Sequence, residues 1–404
     1  MSIISIFSGT YCLADQVAQK VADTFGYKLI DDAALVADAA GRFHISENKL
    51  WRTINGKVSV FNKFTHERER CTADLKVVPA DLLKTDGLVL HGFLTHFIPR
   101  EISHVLKVCL IAETPFRVAR AVADKSISEA EAQKLVHKDN EAAYAWTDYV
   151  SHKAPWDAAL YDILLPMDKQ DVSAAVDLIT ANAKKKVLQP TAQSLAAVDD
   201  FLLAAHVGVA LAQVGHEVGV TAKDSQITLT IDKHVLLLSR LEDELKKIAS
   251  GLSGVKSVET KVGPGFYQSD IYRKYDFEMP AKVLLVDDER DFAQTLSERL
   301  QMRDVGSAVV FDGEQALDLL REDEPEVMVL DLNMPGMNGI EVLRQVKSQH
   351  PKVQVVILTG HGSKDDERVC LDLGDFAYLE KPVDIELLAK TMREANQKAK
   401  ECTR

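Results

Sequence analysis

Near the C-terminus, five polar side chains follow apolar runs and could together carry out phosphoryl chemistry. Asp287 and Asp288 follow KVLLV, Asp331 follows VMVL, Thr359 ends VQVVIL, and Lys381 follows FAYLE. Three clustered carboxylates repel one another and need a cation, and oxygen ligands at this density suit Mg²⁺. A carboxylate beside Mg²⁺ can attack a phosphoryl donor and form an aspartyl phosphate. The lysine would neutralise the transferred charge, and the threonine hydroxyl would donate to a phosphoryl oxygen.

The elements that must position these side chains begin at Lys282. Five strand patterns alternate there with five helical patterns, which predicts one doubly wound parallel sheet. Ligands of such sheets lie beyond the carboxyl ends of the strands, so we expect the acids, the threonine and the lysine to converge on one edge. A single Asp at a strand end is more often a turn residue or a helix cap, so the prediction depends on the complete ordered set.

Residues 281–404 resemble the receiver domain of bacterial two-component response regulators, with VDDE, LDLNMPGMNG, ILTGHG and YLEKP as the matching motifs. The resemblance implies a flavodoxin-like (βα)5 fold and phosphorylation by a histidine kinase. It also implies a role for each matching residue. These are Asp331 as phosphoacceptor; Asp287, Asp288, Asp331 and the Asn333 carbonyl as Mg²⁺ ligands; Thr359 and Lys381 as phosphoryl contacts; and Tyr378 as the aromatic switch residue.

The resemblance further implies that phosphorylation alters the face formed by the fourth helix, fifth strand and fifth helix. This face contains Tyr378 and the segment 384–399. A phosphoryl group adds close to two negative charges, enough to bias a bistable face. We hypothesise that the face docks either a second copy of the chain, giving a homodimer, or the upstream domains.

The N-terminus reads MSIISIF followed by SGTYCLADQVAQK, a strand, a turn and a helix like those of a phosphate-binding loop. Against the pattern GxxxxGK[ST], only Gly9 remains. Asp15 stands at the lysine position, and Gln16 replaces the hydroxyl that would hold Mg²⁺. Apolar runs at 86–93 and 104–112 look like further buried parallel strands, so residues 1–188 are predicted to form an α/β domain.

Residues 1–188 resemble the cytidylate kinase-like family through the stretches 16–32, 88–99, 116–150 and 161–168. The resemblance implies a P-loop-kinase-like fold in which Arg117 and Arg120 match the helix arginines near the lid. The lid arginines after Asp139 are replaced by NEAAY, and Phe93 stands where an arginine usually follows the strand glycine. Because phosphate-binding charge is missing at three places, we interpret the domain as a degenerate kinase fold kept as an interaction or ligand-sensing module, and we do not expect a nucleotide cofactor.

Two expectations concern basic residues of this domain. Gly9, Arg117 and Arg120 could still grip a single anion without catalysis. Other basic residues, including Arg68, Arg70 and Lys76, are predicted to lie on a solvated helix face.

After a predicted linker at 184–194, residues 197–264 read as a small αββαβ domain. Its helices are predicted at 199–214 and 235–252, two short strands within 216–231, and a last strand at 255–262. The order resembles the BON domain, a module usually associated with binding and assembly. A plain helix-and-sheet spacer is the alternative.

Net charge, cysteine content and hydropathy argue against several classes of function and location. The formal net charge of -13 argues against DNA binding, because phosphate backbones attract basic surfaces. Five scattered cysteines without a CxxC pair favour a reducing cytosol. The most apolar stretch, 201–215, is predicted to be too short to cross a membrane. We therefore expect a cytoplasmic protein that contacts neither membrane nor DNA.

The sequence leaves three hypotheses. The first is a response regulator whose N-terminal domains act through contacts with an unknown protein partner. The second is a nucleoside monophosphate kinase gated by the receiver. The third is a scaffold with an inert receiver, against which the complete acid, threonine and lysine set argues.

Overall fold

The structure is a computed structural model that describes residues 2–56, 58–235, 237–267, 280, 282–301, 303, 305–360 and 362–401. The chain forms two compact units. The first unit comprises residues 1–58 and 68–272, and the second comprises residues 59–67 and 273–404. Residues 268–279, between the small αββαβ domain and the receiver-like part, lie outside the described residues.

The elements up to residue 183, apart from one short helix within residues 59–67, belong to an α/β layer fold in the first unit. Its five strands are all parallel, in the order β2-β3-β1-β4-β5, with hydrophobic clusters on both faces. In chain order the elements are β1 (Ile3–Ser8), α1 (Ala14–Phe25), β2 (Lys28–Asp31), α2 (Asp32–Phe43), α3 (Glu47–Ile54), α4 (Asn62–Thr65), α5 (Glu67–Leu82), β3 (Leu88–His91), β4 (Val105–Ile111), α6 (Thr114–Lys125), α7 (Glu129–Ser151), β5 (Ile163–Pro166) and α8 (Val172–Ala183).

A smaller three-stranded sheet completes the first unit. It has the predicted αββαβ order: α9 (Ala192–Gln213), β6 (Gly219–Lys223), β7 (Gln226–Ile231), α10 (Leu238–Ser250) and β8 (Ser257–Val262). The central strand β7 pairs antiparallel with β6 and parallel with β8. Leu241 and Leu245 of α10 are buried against this sheet, as the leucine spacing predicts.

Helix α9 corrects two expectations. It begins at Ala192, inside the predicted linker, because Thr191 and Ser194 form a capping box there. The stretch Lys186–Gln213 is 28 residues long and contains an 18-residue segment with a mean hydropathy of 1.7, so by length and composition alone it could cross a membrane. Its apolar character is explained by two cores within the unit. Phe201 and Leu202 pack on the larger sheet, and Val207 and Leu211 pack on the smaller one.

The second unit contains the predicted doubly wound sheet, with five parallel strands in the order β10-β9-β11-β12-β13. Helices cover both faces, as the near-continuous apolar strands require. The elements are β9 (Val283–Val286), α11 (Arg290–Gln301), β10 (Ser307–Val310), α12 (Gly313–Glu322), β11 (Val327–Leu330), α13 (Gly339–Gln349), β12 (Gln354–Thr359), α14 (Lys364–Leu373), β13 (Ala377–Glu380) and α15 (Ile385–Glu401).

The short segment Ser59–Glu67, far away in sequence, is also part of the second unit. Phe61 is fully buried and belongs to the hydrophobic cluster on the α12–α13 face of the sheet. The Ser59 hydroxyl donates to Asp323, and Lys282 lies 2.9 Å from both Asp323 and Glu67. The pattern of alternating strands and helices did not reveal this segment.

Candidate functional site

Two of the predicted acids lie side by side at the carboxyl edge of the second unit's sheet. Strands β9 and β11 pair in register, Val286 with Leu330, so the residues that follow them are neighbours. The Asp331 amide donates to the Val286 carbonyl at 2.9 Å, which fixes the relative height of the two strand ends. Asp287 and Asp331 are both buried, and Asp288 beside them is half-buried. Their carboxylates, together with that of Asp288, can place one oxygen each within 4.8 Å of one another.

Lys381 lies among these acids. It follows strand β13, and its ammonium is 2.7 Å from Asp287 and 2.9 Å from Asp331. A third carboxylate, that of Glu289, lies 3.1 Å away and was not predicted. Burial lowers the pKa of Lys381, but hydrogen bonds and charge interactions with Asp287 and Asp331 outweigh it, so the pKa is raised. Burial also raises the pKa of Asp287, and its hydrogen bond from Lys381 opposes that shift.

The chain after Asp331 turns back closely over the acid. The Asn333 amide donates to the Asp331 carboxylate at 3.2 Å, and the Gly339 amide donates to the Leu332 carbonyl at 3.0 Å. A Cβ at Gly339 would lie 2.2 Å from the Asp331 carbonyl oxygen, so only glycine allows this approach. Asn338 caps α13 through the Ile340 amide. The loop therefore holds Asp331 and Asn333 on one side of the cluster.

The remaining predicted residues lie on the two strands beyond β11. Thr359 ends β12 and is buried, and its carbonyl accepts from the Lys381 amide at 2.9 Å. Tyr378 on β13 packs over Gly362, where a Cβ would lie 1.7 Å from the tyrosine oxygen. The Tyr378 hydroxyl is buried without a hydrogen-bond partner among the described residues. Burial raises its pKa to about 12.

The donor set fits a hard divalent cation. Asp287, Asp288 and Asp331 supply only oxygen, which suits Mg²⁺ with its preference for few carboxylates and several waters. Neither imidazole nor thiolate belongs to this cluster, so its chemistry does not favour zinc. The nearby Lys381 offsets part of the negative charge but leaves the carboxylates in the majority.

The first unit has its own cavity, of about 570 Å³, at the carboxyl ends of β1, β2 and β3. Gly9 and Arg120, two of the three predicted anion-binding residues, line it. Among the described residues that line it, five acids stand against one arginine: Asp15, Asp31, Asp32, Asp124 and Asp139. Such a wall repels phosphate rather than attracting it.

Arg117, the third predicted anion-binding residue, is buried and occupied with internal contacts. Its guanidinium donates to the Thr10 carbonyl at 2.7 Å, the Thr10 hydroxyl at 2.9 Å and the Asn140 side chain at 2.9 Å. Its Cζ lies 3.2 Å from where a Cβ on Gly9 would be. Arg117 thus holds the loop at Gly9 and Thr10 through internal hydrogen bonds, in the position where a phosphate-binding loop would contact phosphate.

Asp32 is an unpredicted feature of the same cavity. Its carboxylate accepts from the Phe93 amide at 2.6 Å and the Leu94 amide at 3.0 Å. Burial raises its pKa to about 7, although the two amide hydrogen bonds oppose this shift. The backbone of Phe93, which stands at the usual arginine position, is therefore held by the Asp32 carboxylate.

Comparison with known families agrees with two of the three predicted resemblances. The family described as "Response regulator receiver domain" matches residues 283–393, and "Cytidylate kinase-like family" matches residues 3–169. The C-terminal part is therefore a response regulator receiver domain, and the α/β fold with parallel sheets is confirmed. The BON resemblance stays a prediction.

Curated relatives share the receiver part. Response regulator MprA of Mycolicibacterium vanbaalenii is 36% identical over 115 residues, which is 28% of this chain and 50% of the relative. Transcriptional regulatory protein CpxR of Escherichia coli K12 is 44% identical over 110 residues, or 27% and 47% of the two chains. The chain thus spans about half the length of the curated relatives it matches.

Among solved structures, the response regulator receiver domain protein from Clostridium thermocellum is 29% identical. The alignment covers 30% of this chain and 98% of that chain, with a TM-score of 0.29. The Francisella response regulator 1452 receiver domain is 31% identical with the same coverage and a TM-score of 0.28.

Proposed function

We propose that this chain is a two-component response regulator that accepts a phosphoryl group on Asp331 from a histidine kinase. The observation that carries the proposal is the convergence of three carboxylates and Lys381 at one sheet edge. Mg²⁺ would be held by Asp287, Asp288, Asp331 and the Asn333 carbonyl, and it would supply positive charge to a transferring phosphoryl group.

The phosphoryl transfer is a single displacement at phosphorus. A carboxylate oxygen of Asp331 attacks the phosphorus of a phosphohistidine, so the O–P bond forms while the P–N bond breaks. The electron pair stays on the imidazole nitrogen, which takes up a proton from water. The Lys381 ammonium, already 2.9 Å from Asp331, is placed to neutralise the added charge. In this proposal the Thr359 hydroxyl would donate to a phosphoryl oxygen, and the Tyr378 side chain would move inward when Thr359 turns.

The output is proposed to be protein–protein contact. Helices α14 and α15 carry three exposed apolar side chains between them: Val369, Leu371 and Leu387. Exposed apolar side chains of this kind suit docking of a second copy of the chain. If phosphorylation left the oligomer size unchanged in wild type, this part of the proposal would be wrong. We propose a cytoplasmic location, as is typical of response regulators.

The alternative of a receiver-gated nucleoside monophosphate kinase is supported by the match of residues 3–169 to the cytidylate kinase-like family and by the 570 Å³ cavity at the strand ends. The five carboxylates around it and the internal role of Arg117 argue against phosphate binding. We therefore propose that residues 1–188 serve in contacts with a partner rather than in catalysis.

The proposal is tested by incubating the full chain with acetyl phosphate and Mg²⁺ and measuring the phosphorylated fraction by intact mass. We expect labelling of wild type, loss of labelling in Asp331→Asn, and loss when EDTA removes Mg²⁺. Asp312→Asn, which changes a helix-capping acid of α12, is the matched control and should label normally. Persistent labelling of Asp331→Asn would refute the site.

A further inference from the structure

A second cavity, of about 310 Å³, lies in the first unit and shares no lining residue with the cavity at Gly9. Helices α5 and α9 form two of its walls, and Tyr149 of α7 contributes to a third. The chain from His216 to Val220, together with Asp232 and Lys233, closes the remaining side. Its volume is at the lower end of the range for small-molecule sites.

The α9 wall is built from small residues. Ala204, Ala205, Gly208 and Ala212 line the cavity, and their spacing places them on one face of the helix. A Cβ built on Gly208 meets no heavy atom within 4 Å, so the space above this residue is open. The α9 wall is therefore apolar, and its small side chains leave open space in the cavity.

Lys76 of α5 lines the same cavity, although the sequence predicted it on a solvated face. The residue is half-buried, and its ammonium lies 5.6 Å from the centre of the Phe201 ring, on the cavity-lining face of α9. No hydrogen bond or ion pair joins it to any residue that the structure describes. Burial lowers its pKa, as expected of an ammonium that has lost water without gaining a carboxylate.

The other charged groups around the cavity have a counter-charge, another interaction or exposure to solvent. Lys233 pairs with Glu217 at 2.7 Å, and the His216 ring lies 3.4 Å from Glu244. Asp232 is exposed, and Glu69 has an interaction of its own. Among the described residues that line the cavity, Lys76 is thus the lysine without a paired carboxylate, and it lies beside an apolar wall.

We propose that this cavity binds a small organic carboxylate, whose charged group pairs with Lys76 and whose apolar body lies against the small residues of α9. The pairing supplies the counter-charge that the buried ammonium lacks. The α9 wall supplies the apolar contact, so charge and shape are recognised together. This site is independent of the receiver chemistry and of the cavity at Gly9.

The test is calorimetric titration of the full chain with benzoate at pH 7, with benzyl alcohol as the neutral probe and inorganic phosphate as the bare anion. We expect benzoate to bind and the other two probes to bind at least tenfold more weakly. Absence of benzoate binding at millimolar concentration would overturn the proposal. If inorganic phosphate bound as tightly as benzoate, the proposal would also be wrong, because the α9 wall would then contribute nothing to the binding of benzoate.

Four variants locate the site. Lys76→Met keeps an unbranched side chain of similar length but removes the charge, and Gly208→Leu fills the open space. Each should weaken benzoate binding at least tenfold. Lys76→Arg should restore binding to within a few-fold. Gly41→Leu is the matched control, because Gly41 is an exposed helical glycine that also has no atom within 4 Å of its Cβ position.

If Gly208→Leu does not fold, as judged by its melting curve, Ala212→Leu replaces it on the same wall. Binding that is unchanged in both Lys76→Met and the cavity-filling variant would place benzoate elsewhere and overturn the proposal.

Discussion

The ammonium of Lys381 lies 2.9 Å from the carboxylate of Asp331, although 50 residues separate them in sequence. The contact exists because β11 and β13 both end at the same edge of the sheet, with β12 between them. It links the proposed phosphoacceptor to the cation that would meet the transferred charge. The same lysine also pairs with Asp287 at 2.7 Å, so one cation serves two buried acids.

Lys381→Met should destabilise the second unit by about 3 kcal/mol or more at neutral pH, because it leaves two buried carboxylates without their cation. Asp287 already has a raised pKa, so the folded state binds its proton more tightly than the unfolded state does. The penalty of the variant should therefore shrink as the pH falls through that raised pKa. Urea titrations at several pH values measure this, with the exposed Lys390→Met as control. A penalty independent of pH would contradict the account.

Asp32 should titrate near neutral pH, because burial raises its pKa to about 7. An acid whose pKa is raised in the folded state binds more protons there than in the unfolded chain. The stability contributed by Asp32 should therefore decrease from about pH 4, where the unfolded group ionises, to about pH 7, and stay level above. The carboxyl ¹³C shift of labelled aspartate reports the midpoint, and Asp32→Asn assigns the signal. A midpoint below pH 5 would show that the two amide hydrogen bonds dominate over burial.

Phe61→Ala should loosen the receiver core from a position more than 200 residues upstream of it in sequence. The side chain is fully buried in the cluster on the α12–α13 face, and truncation of such a phenylalanine costs about 3 to 5 kcal/mol. Hydrogen exchange of the β9 and β11 amides in the full chain measures the loss. Val60→Ala is the neighbouring control, since Val60 is 53% exposed. Equal exchange in both variants would mean that the segment does not support the receiver.

Nucleotide should not bind in the cavity at Gly9. Calorimetric titration of the full-length Asp331→Asn variant with ATP and with CMP, each with Mg²⁺, should give no heat at millimolar ligand. The reason is the surplus of carboxylates around the cavity and the commitment of Arg117 to Thr10. Micromolar binding of either nucleotide would contradict this prediction and favour the hypothesis of a receiver-gated kinase.

The receiver edge could be predicted because it depends on local signals. Asp287, Asp331, Thr359 and Lys381 each follow or end an apolar strand, and parallel strands bring such positions to one edge. The alternation of strands and helices predicts a parallel sheet, and the flavodoxin-like fold came from the resemblance to the receiver family. Glu289 was missed because a single acid in a turn carries no signal of its own.

Other features depend on contacts between distant residues, which a pattern along the chain does not contain. Arg117 matched an anion-binding position, but its partners Thr10 and Asn140 lie on other elements. Lys76 looked like an exposed helix residue because its burial comes from α9, more than a hundred residues later. The start of α9 at Ala192 was missed because Pro190 suggested a linker, whereas Thr191 and Ser194 cap a helix directly after it.

The most direct test of the central claim is to map the phosphorylated residue itself. The full chain is treated with acetyl phosphate and Mg²⁺, reduced with borohydride, which converts an aspartyl phosphate to homoserine, and analysed by peptide mass spectrometry. The account predicts homoserine at position 331 and unmodified aspartate at positions 287 and 288. Homoserine at another acid, or none in a chain that retains its fold, would contradict it.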